Sequence, residues 1–467
     1  MAPVSPMARV SPARACAYAV VRRVFEQDAY ADRAFHAEAR RLEGRERSFA
    51  MALAYGTVQR KATLDHVLTQ LSDRSPDKLD APVLAALRLG LMQVLLLDGV
   101  AEHAAVHESV ELAKRHGRGG SGLVNAVLRR AVREGRQILA GLDDDSPAGA
   151  AVKHSVPTWL AELWWRELGA ERARALLAVV NQPAESAVRV NTLTAAPATV
   201  AAALGIASDP APGIPEGLVL AEPFDAYGSP QWARGELMPQ SRGSMLVGRT
   251  LAPEPGERVL DLCAAPGAKT THLAALMGDE GEIVAVERHP GRAQALRHTL
   301  ERMHVHRATV QVGDAARGEG GVDRSGVGGV GPPGVGGVDL PGAGGVDLRG
   351  AGLGGDLRGG YDRVLVDPPC SGLGTLQSRP DLRWRTSPAR IADLAPQQYR
   401  ILAAGAAATR PGGVLVYSVC TISRAESDDV VERFVAEHPD WEAEPYRRSA
   451  PDTDGTDGFF IATLRRH

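Results

Sequence analysis

Cysteine is scarce in this 467-residue sequence: Cys16, Cys263, Cys370 and Cys420 are the full set. Their spacing fits no zinc-ligand pattern, and four thiols in so long a chain make no disulfide framework. The expectation is reduced thiols in a cytoplasmic protein, with no metal site. Long apolar runs are missing as well, which excludes a membrane span. Met1 to Pro12 lacks the apolar core of a secretory signal and reads as a frayed end. One stretch lacks almost everything a core needs. Gly318 to Gly360 holds 19 of the 51 glycines, repeats a Gly-Gly-Val-Asp theme, and contains no aromatic residue. It cannot bury enough apolar surface to offset ordering entropy, so a disordered insertion over 318–360 is expected.

What is present is long enough for two or three domains. The net charge of −3 hides an asymmetry. Residues 1–137 carry 21 Lys/Arg against 15 Asp/Glu, and the remainder 32 against 41. A basic front suggests a segment that helps hold a polyanion, although a solvated arginine-rich helical surface gives the same imbalance. Apolar residues recur there at helical spacing: Val20, Val21, Val24 and Phe25; Phe49, Leu53 and Ala54; Leu64, Val67, Leu68 and Leu71. Val83 to Leu97 is apolar nearly all round, as in a central buried helix. A bundle of six or seven helices over 13–140 is expected. Ala86-Leu87-Arg88-Leu89-Gly90-Leu91-Met92-Gln93, His103 to Val110 and Val124-Asn125-Ala126-Val127-Leu128-Arg129-Arg130 resemble the antitermination factor NusB and its relatives. That resemblance implies an RNA-binding helical domain.

Asp143 to Val152 reads as a polar, alanine-rich joint. A small α+β module over 153–253 follows, with Trp159, Trp164 and Trp165 near an early helix as core residues and a strand at Arg189-Val190-Asn191-Thr192-Leu193. From Gly256 the pattern alternates between strand and helix. Strands are expected at Val259–Leu262, Ile283–Glu287, Thr309–Val312, Val364–Asp367 and Val414–Tyr417, with helices at Lys269–Met277 and Gly291–Met303. Strands separated by helices imply a parallel, doubly wound α/β sheet, a Rossmann-like domain over 254–467.

The first strand runs into Asp261-Leu262-Cys263-Ala264-Ala265-Pro266-Gly267-Ala268-Lys269-Thr270. A strand turning through glycine into a helix lets backbone N–H groups approach a polar ligand. The turn is neither a Walker loop nor a full G-x-G-x-x-G, so no phosphate cradle is indicated. Glu287 ends the second strand, where an acid can accept from both ribose hydroxyls, and Asp314 follows the third, where it can accept from an adenine amine. Adenosine without a phosphate site points to S-adenosyl-L-methionine. A dinucleotide enzyme or a structural α/β domain stays open on the turn alone.

Two cysteine motifs narrow the choice: Asp367-Pro368-Pro369-Cys370-Ser371-Gly372, followed by Arg379-Pro380-Asp381, and Tyr417-Ser418-Val419-Cys420-Thr421, followed by Glu426. With the cofactor turn, residues 157–467 resemble the RNA cytosine-5 methyltransferases of the Nop/Sun family. The added NusB-like front is similar to family members that act on small-subunit (16S) ribosomal RNA. The resemblance implies that Cys420 is the nucleophile that adds to cytosine carbon 6, that Cys370 assists product release, and that Asp367 binds the edge of the flipped base. It further implies that Lys269 orders the site near Asp367. The cofactor would lie against Cys263, Ala264, Ala265, Pro266, Gly267, Ala268, Lys269, Glu287, Asp314 and Asp367, the Cys263 side chain being read as a small buried hydrophobe. Arg189, Asn191, Arg379, Arg383 and Trp384 are the candidates for RNA contact, because a base splayed out of a stack needs basic and aromatic groups around it. The partner implied is ribosomal RNA, before or during small-subunit assembly, and the protein is expected to be a monomer that touches no membrane.

The sequence departs from the family at Ala268, where a second glycine is usual and a negative φ is needed to tolerate the change. Val419 removes a hydroxyl beside the nucleophile, Glu287 replaces the commoner aspartate, and Gln240-Ser241-Arg242 replaces a more acidic segment. Transfer RNA remains an alternative substrate. A non-enzymatic RNA-binding or assembly factor would require a damaged catalytic set, and Lys269, Asp367, Cys370 and Cys420 are all present.

Overall fold

The computed structural model describes residues 10–72, 74–116, 119–317 and 360–467. The glycine-rich insertion, apart from Gly360, and the first nine residues lie outside them. Pro12, expected in a frayed end, is instead the first residue of α1 (Pro12–Glu26); proline is tolerated at that position, where its missing N–H has no partner to lose.

Six further helices complete the front domain: α2 (Ala31–Glu38), α3 (Gly44–Gln59), α4 (Lys61–Leu71), α5 (Ala81–Leu95), α6 (Glu102–His116) and α7 (Ser121–Ala140). The apolar faces read from the sequence meet in one core, with Val20, Leu53, Leu64, Leu87, Leu91 and Leu128 all fully buried. Helix α5 is central, as its nearly uniform apolarity predicts. A side chain at Gly90 would meet Leu128 at 2.4 Å, so glycine there permits α5 and α7 to touch. Arg88 is buried but paired, donating to both oxygens of Asp65 at 2.7 and 2.8 Å; its role is structural. No helix of the described residues is long and apolar enough to cross a membrane.

The alanine-rich joint contains a helix, α8 (Pro147–Lys153), capped by Ser146. Its alanines are small enough to pack closely, and Ala150 and Ala151 are buried with α9 (Thr158–Leu168) and α10 (Ala170–Val179). Trp164 is fully buried in that cluster, as expected of a core tryptophan. Next come β1 (Ser186–Val190), α11 (Pro197–Ala203), β2 (Ser208–Ala211), β3 (Ile214–Leu220), α12 (Pro230–Ala233) and β4 (Leu237–Pro239). The four strands form an antiparallel sheet in the order β2-β3-β1-β4. Helix α13 (Arg242–Leu251) sends Val247 and Leu251 into the core of the following domain, so that domain's packing begins before residue 254.

The last domain holds β5 (Arg258–Leu262), α14 (Ala268–Leu276), β6 (Glu282–Glu287), α15 (Pro290–Arg302), β7 (Ala308–Val312), β8 (Tyr361–Val366), α16 (Leu382–Arg385), α17 (Pro388–Ala408), β9 (Thr409–Val419), α18 (Asp428–Glu437), β10 (Trp441–Ala443), β11 (Arg447–Ser449), α19 (Pro451–Asp454) and β12 (Phe459–Arg466). Its sheet runs β10-β12-β9-β8-β5-β6-β7, with β11 also on β12. Strands β9, β8, β5, β6 and β7 are mutually parallel; β12 is antiparallel to β9. After β5 the chain builds outward through β6 and β7, then returns to the other side of β5 for β8 and β9. The order therefore reverses between β5 and β8, and the carboxyl ends of strands at such a reversal open a crevice where ligands bind.

Candidate active site

Every residue the sequence singled out for chemistry lies at that carboxyl edge. Asp367 follows β8, Cys420 follows β9, and Lys269 sits in the first turn of α14, just after β5. The sequence forces the turn between β5 and α14. Gly267 has φ +107, and a side chain there would meet Leu296 at 2.7 Å, so only glycine fits both the backbone and the space. Cys263, at φ +68, holds a left-handed conformation that costs a non-glycine residue energy, and such strain clusters at functional sites. Ala268 is helical and is not among the positive-φ residues, so the missing second glycine is harmless.

The two thiols face each other at 3.3 Å. Cys370 is pushed well above the ordinary thiol range, first by its hydrogen bond to Cys420 and then by burial. Cys420 moves the other way: its hydrogen bond with Cys370 lowers it, burial and the Asp367 carboxylate oppose, and the charges of Lys269 and Arg379 pull it down. These shifts dispose Cys420, rather than Cys370, to be the thiolate. Beside them Lys269 Nζ donates to Asp367 Oδ2 at 2.7 Å and lies 5.2 Å from the centre of the Phe459 ring. Burial lowers the Lys269 ammonium, but Asp367 more than offsets it, and the net shift is upward. Ser418 donates to the other Asp367 oxygen at 2.9 Å.

One buried carboxylate ties the two cysteine loops together. Glu426 accepts from the Ser371 backbone N–H at 2.8 Å, from Thr421 Oγ1 at 3.2 Å and from Gln398 Nε2 at 3.1 Å, and the Ser371 hydroxyl also bonds to it. Ser371 neighbours Cys370 and Thr421 neighbours Cys420, so this network fixes the thiol separation. Val419 is fully buried in the sheet core, and a hydroxyl there would face apolar side chains rather than the site. Sequence reasoning missed Gln398, which sits on α17 and carries no local signal, and it missed Ser418 as the residue that orients Asp367, although Ser418 lies inside the cysteine motif.

A cavity of about 140 Å³ opens beside the loop that carries Cys370. Cys263, Val286, Glu287, Asp314, Pro369 and Ile401 are among its walls, so the expected cofactor carboxylates and the residue before Cys370 share one space. Glu287 is nearly buried, accepts from the His289 backbone N–H at 2.9 Å and lies 3.5 Å from Arg292. Asp314 accepts from the Ala316 N–H at 3.1 Å.

The expected RNA contacts need correction. Arg189 and Asn191 are fully buried. Arg189 donates to Gln240 at 2.8 Å and to Thr271 at 2.8 Å, joining the small sheet to α14 behind the cofactor turn. That also accounts for Gln240, which serves this seam. Asn191 donates to the carbonyls of Gly235 and Met303. Arg383, also fully buried, donates to Ser155 O at 3.0 Å, Asn181 Oδ1 at 2.7 Å and Leu376 O at 3.0 Å. Trp384 packs against the front bundle and donates to Val58 O at 2.8 Å. These four hold domains together. Arg379 alone of the five is exposed, on the segment that joins Cys370 to α16. The same seam contains a second buried pair: Glu216 accepts from His272 Nε2 at 2.6 Å and from Arg249 at 3.0 Å. Burial lowers His272 to about 4, so it is neutral at pH 7 and contributes the donor that the carboxylate needs.

Three family models match the chain. That described as 16S rRNA methyltransferase RsmB/F matches residues 248–324 and 351–465, the NusB family matches 11–133, and an RsmF/B-like methyltransferase, ferredoxin-like domain matches 156–227. A probable ribosomal RNA small subunit methyltransferase B of Synechocystis is 36% identical over 97% of this chain and 99% of its own length. One from Bacillus subtilis is 31% identical over 91% and 92%. In three dimensions the chain resembles the crystal structure of PH0851, with a TM-score of 0.78 over 98% of this chain and 100% of the other, at 23% identity. That likeness extends to the order of helical front, small sheet and parallel sheet.

Proposed function

The chain belongs to the RsmB/F family of 16S rRNA methyltransferases, and on that footing we propose that it methylates carbon 5 of a cytosine in 16S ribosomal RNA through a covalent bond between Cys420 and cytosine carbon 6. The observation that carries this reading is the thiol pair at 3.3 Å beside the Lys269–Asp367 pair. Carbon 5 of cytosine is a poor nucleophile. Addition of the Cys420 thiolate to carbon 6 makes carbon 5 enamine-like, and negative charge builds on the ring. Asp367, oriented by Lys269 and Ser418, faces the nitrogen edge of the base and relays a proton to it from the Lys269 ammonium. After methyl transfer the carbon 5 proton leaves to a base, the carbon–sulfur bond breaks, Cys420 departs as thiolate, and the ring-nitrogen proton returns to the Lys269–Asp367 pair. Cys370 serves that release. Dividing one hard step into addition and elimination is the gain of covalent catalysis.

The cavity suits S-adenosyl-L-methionine, which supplies an electrophilic methyl group on a sulfonium. Its walls fit the rest of the molecule: Glu287 for the two ribose hydroxyls, Asp314 for an adenine amine, and Val286 and Ile401 for the flat faces. A hydrogen bond to a charged acceptor contributes roughly 1.5–3 kcal/mol. Glu287→Ala and Asp314→Ala are each expected to weaken S-adenosyl-L-methionine binding about tenfold or more, measured by calorimetry. Unchanged affinity in both variants would place the adenosine elsewhere.

The enzyme is read as a cytoplasmic monomer that meets its RNA before or during small-subunit assembly. The purified protein, given S-adenosyl-L-methionine and a 16S rRNA transcript, is expected to produce 5-methylcytidine on nucleoside mass spectrometry. A methylated adenosine, or a product on transfer RNA alone, contradicts the proposal.

A further inference from the structure

Arg383 is among the largest side chains that the fold buries completely. The oxygens it donates to among the described residues are uncharged. One terminal nitrogen donates to Ser155 O at 3.0 Å, to Asn181 Oδ1 at 2.7 Å and, more distantly, to Gln59 O at 3.5 Å. The other donates to Leu376 O at 3.0 Å and to Val180 O at 3.3 Å. Gln59 ends α3 of the front bundle, Ser155 follows α8, Val180 and Asn181 follow α10, and Leu376 lies on the segment after Cys370. Burying a cation is costly. The planar guanidinium fork is what lets a single cation meet oxygens that arrive from several directions.

The segment that Arg383 grips reaches both cysteine loops. The Gly374 N–H donates to Cys420 O at 3.0 Å, and Gly374 O accepts from the Gly458 N–H at 2.7 Å. A side chain on Gly374 would collide with the Gly458 carbonyl, so glycine is needed for this approach. The Gly374–Cys420 bond joins the two loops independently of the Glu426 carboxylate, which joins them through Ser371 and Thr421. The loops also share their packing. Leu373 and Leu376 from the Cys370 side, and Ile422 and Ala425 from the Cys420 side, lie in one apolar cluster with Leu160 and Trp164 of α9 and Leu177 of α10. Both thiol loops therefore rest on the same wall, and Arg383 ties the Cys370 loop to that wall and to the front bundle.

We propose that Arg383 is a positioning residue for the covalent step: by fixing Leu376 against the middle helices and the front bundle, it sets where the Cys420 sulfur stands relative to Cys370 and the base. The proposal rests on the RNA-methyltransferase reading. It gives the helical front domain a part in catalysis, through Gln59 O and through Val58 O, which accepts from Trp384 Nε1 at 2.8 Å. Arg383 is fully buried and bonds to neither thiol, so its loss acts on rate rather than on binding. Addition to carbon 6 needs sulfur and carbon aligned, and a displacement of about 1 Å caused by a distant substitution costs roughly 10²-fold. Lysine cannot stand in, because an ammonium on one stem lacks the fork that spans these oxygens.

The test is single-turnover adduct formation by the full-length protein on a 5-fluorocytosine-substituted 16S rRNA transcript with saturating S-adenosyl-L-methionine, read as a rate constant and a final amplitude. Arg383→Lys is expected to form the adduct roughly 10²-fold more slowly at the parent amplitude. Its Kd for RNA and for S-adenosyl-L-methionine should stay within twofold of the parent. Arg88→Lys, which disturbs the buried Arg88–Asp65 pair of the front bundle, is the comparison for lost stability: it lowers Tm and leaves the adduct rate alone. Asn181→Ala removes one acceptor, keeps Arg383, and is expected to slow the adduct several-fold; it decides the matter should Arg383→Lys not fold. A rate within twofold of the parent in folded Arg383→Lys, or in Asn181→Ala where Arg383→Lys does not fold, overturns the proposal. So does a reduced amplitude at the parent rate, which is the mark of partial unfolding alone. Either result, with the parent forming its adduct, sinks only the positioning role, whereas no adduct in the parent protein sinks the methyltransferase reading with it.

Discussion

Cys420→Ala loses all methyl transfer and leaves no covalent complex on 5-fluorocytosine-containing RNA, whereas Cys370→Ala accumulates an RNA adduct that survives denaturation. The contrast follows from the asymmetry of the thiol pair. Cys420 is the sulfur lowered by its hydrogen bond with Cys370 and by Lys269 and Arg379, and Cys370 is the one raised. Removing Cys370 slows addition somewhat, because that hydrogen bond is lost, but Lys269 and Arg379 still favour the thiolate. Release loses its dedicated group altogether, so the intermediate piles up. Electrophoresis under denaturing conditions reads both outcomes, and an adduct with Cys420→Ala would reverse the assignment.

Asp367→Ala is expected to lower kcat by about 10²–10⁴-fold, the range ascribed to a positioned proton-transfer group, while cofactor affinity changes far less. A second effect distinguishes it from simple damage. Lys269 is held upward by Asp367 against the effect of burial. Without Asp367, burial dominates and the ammonium loses its proton at lower pH than in the parent. The alkaline limb of the pH–rate profile should therefore move to lower pH in the residual activity of Asp367→Ala. A limb that stays in place would remove Lys269 from the rate-determining chemistry.

The parts of the fold that were legible in the sequence are those whose signal is local. Four buried strands and a half-exposed fifth, β7, announce themselves as apolar runs, and the ends of β5, β6 and β8 fall within a few residues of expectation. The reversal of strand order brings their carboxyl ends together without any side chain having to be guessed, and so Lys269, Asp367, Cys370 and Cys420 assemble as anticipated. The antiparallel addition of β10, β11 and β12 was not legible, because β10 and β11 are three residues each and give no period. The arginines were misread for a physical reason. Arginine is ordinarily at the surface, so Arg189 and Arg383 suggested nucleic acid. Their burial becomes acceptable only when carbonyls and amides tens to hundreds of residues away, such as Gln240 and Ser155, converge on each guanidinium. The Glu426 network has the same character: its partner Gln398 lies on a different element and is invisible to any motif.

The most direct measurement is the site of attachment itself. The parent enzyme is incubated with S-adenosyl-L-methionine and 5-fluorocytosine-substituted 16S rRNA, which blocks release by replacing the proton that must leave carbon 5. The trapped protein is digested, and the modified peptide is identified by tandem mass spectrometry. The account predicts the nucleotide on Cys420, in the peptide that contains Tyr417 to Thr421. A nucleotide on Cys370 would contradict it.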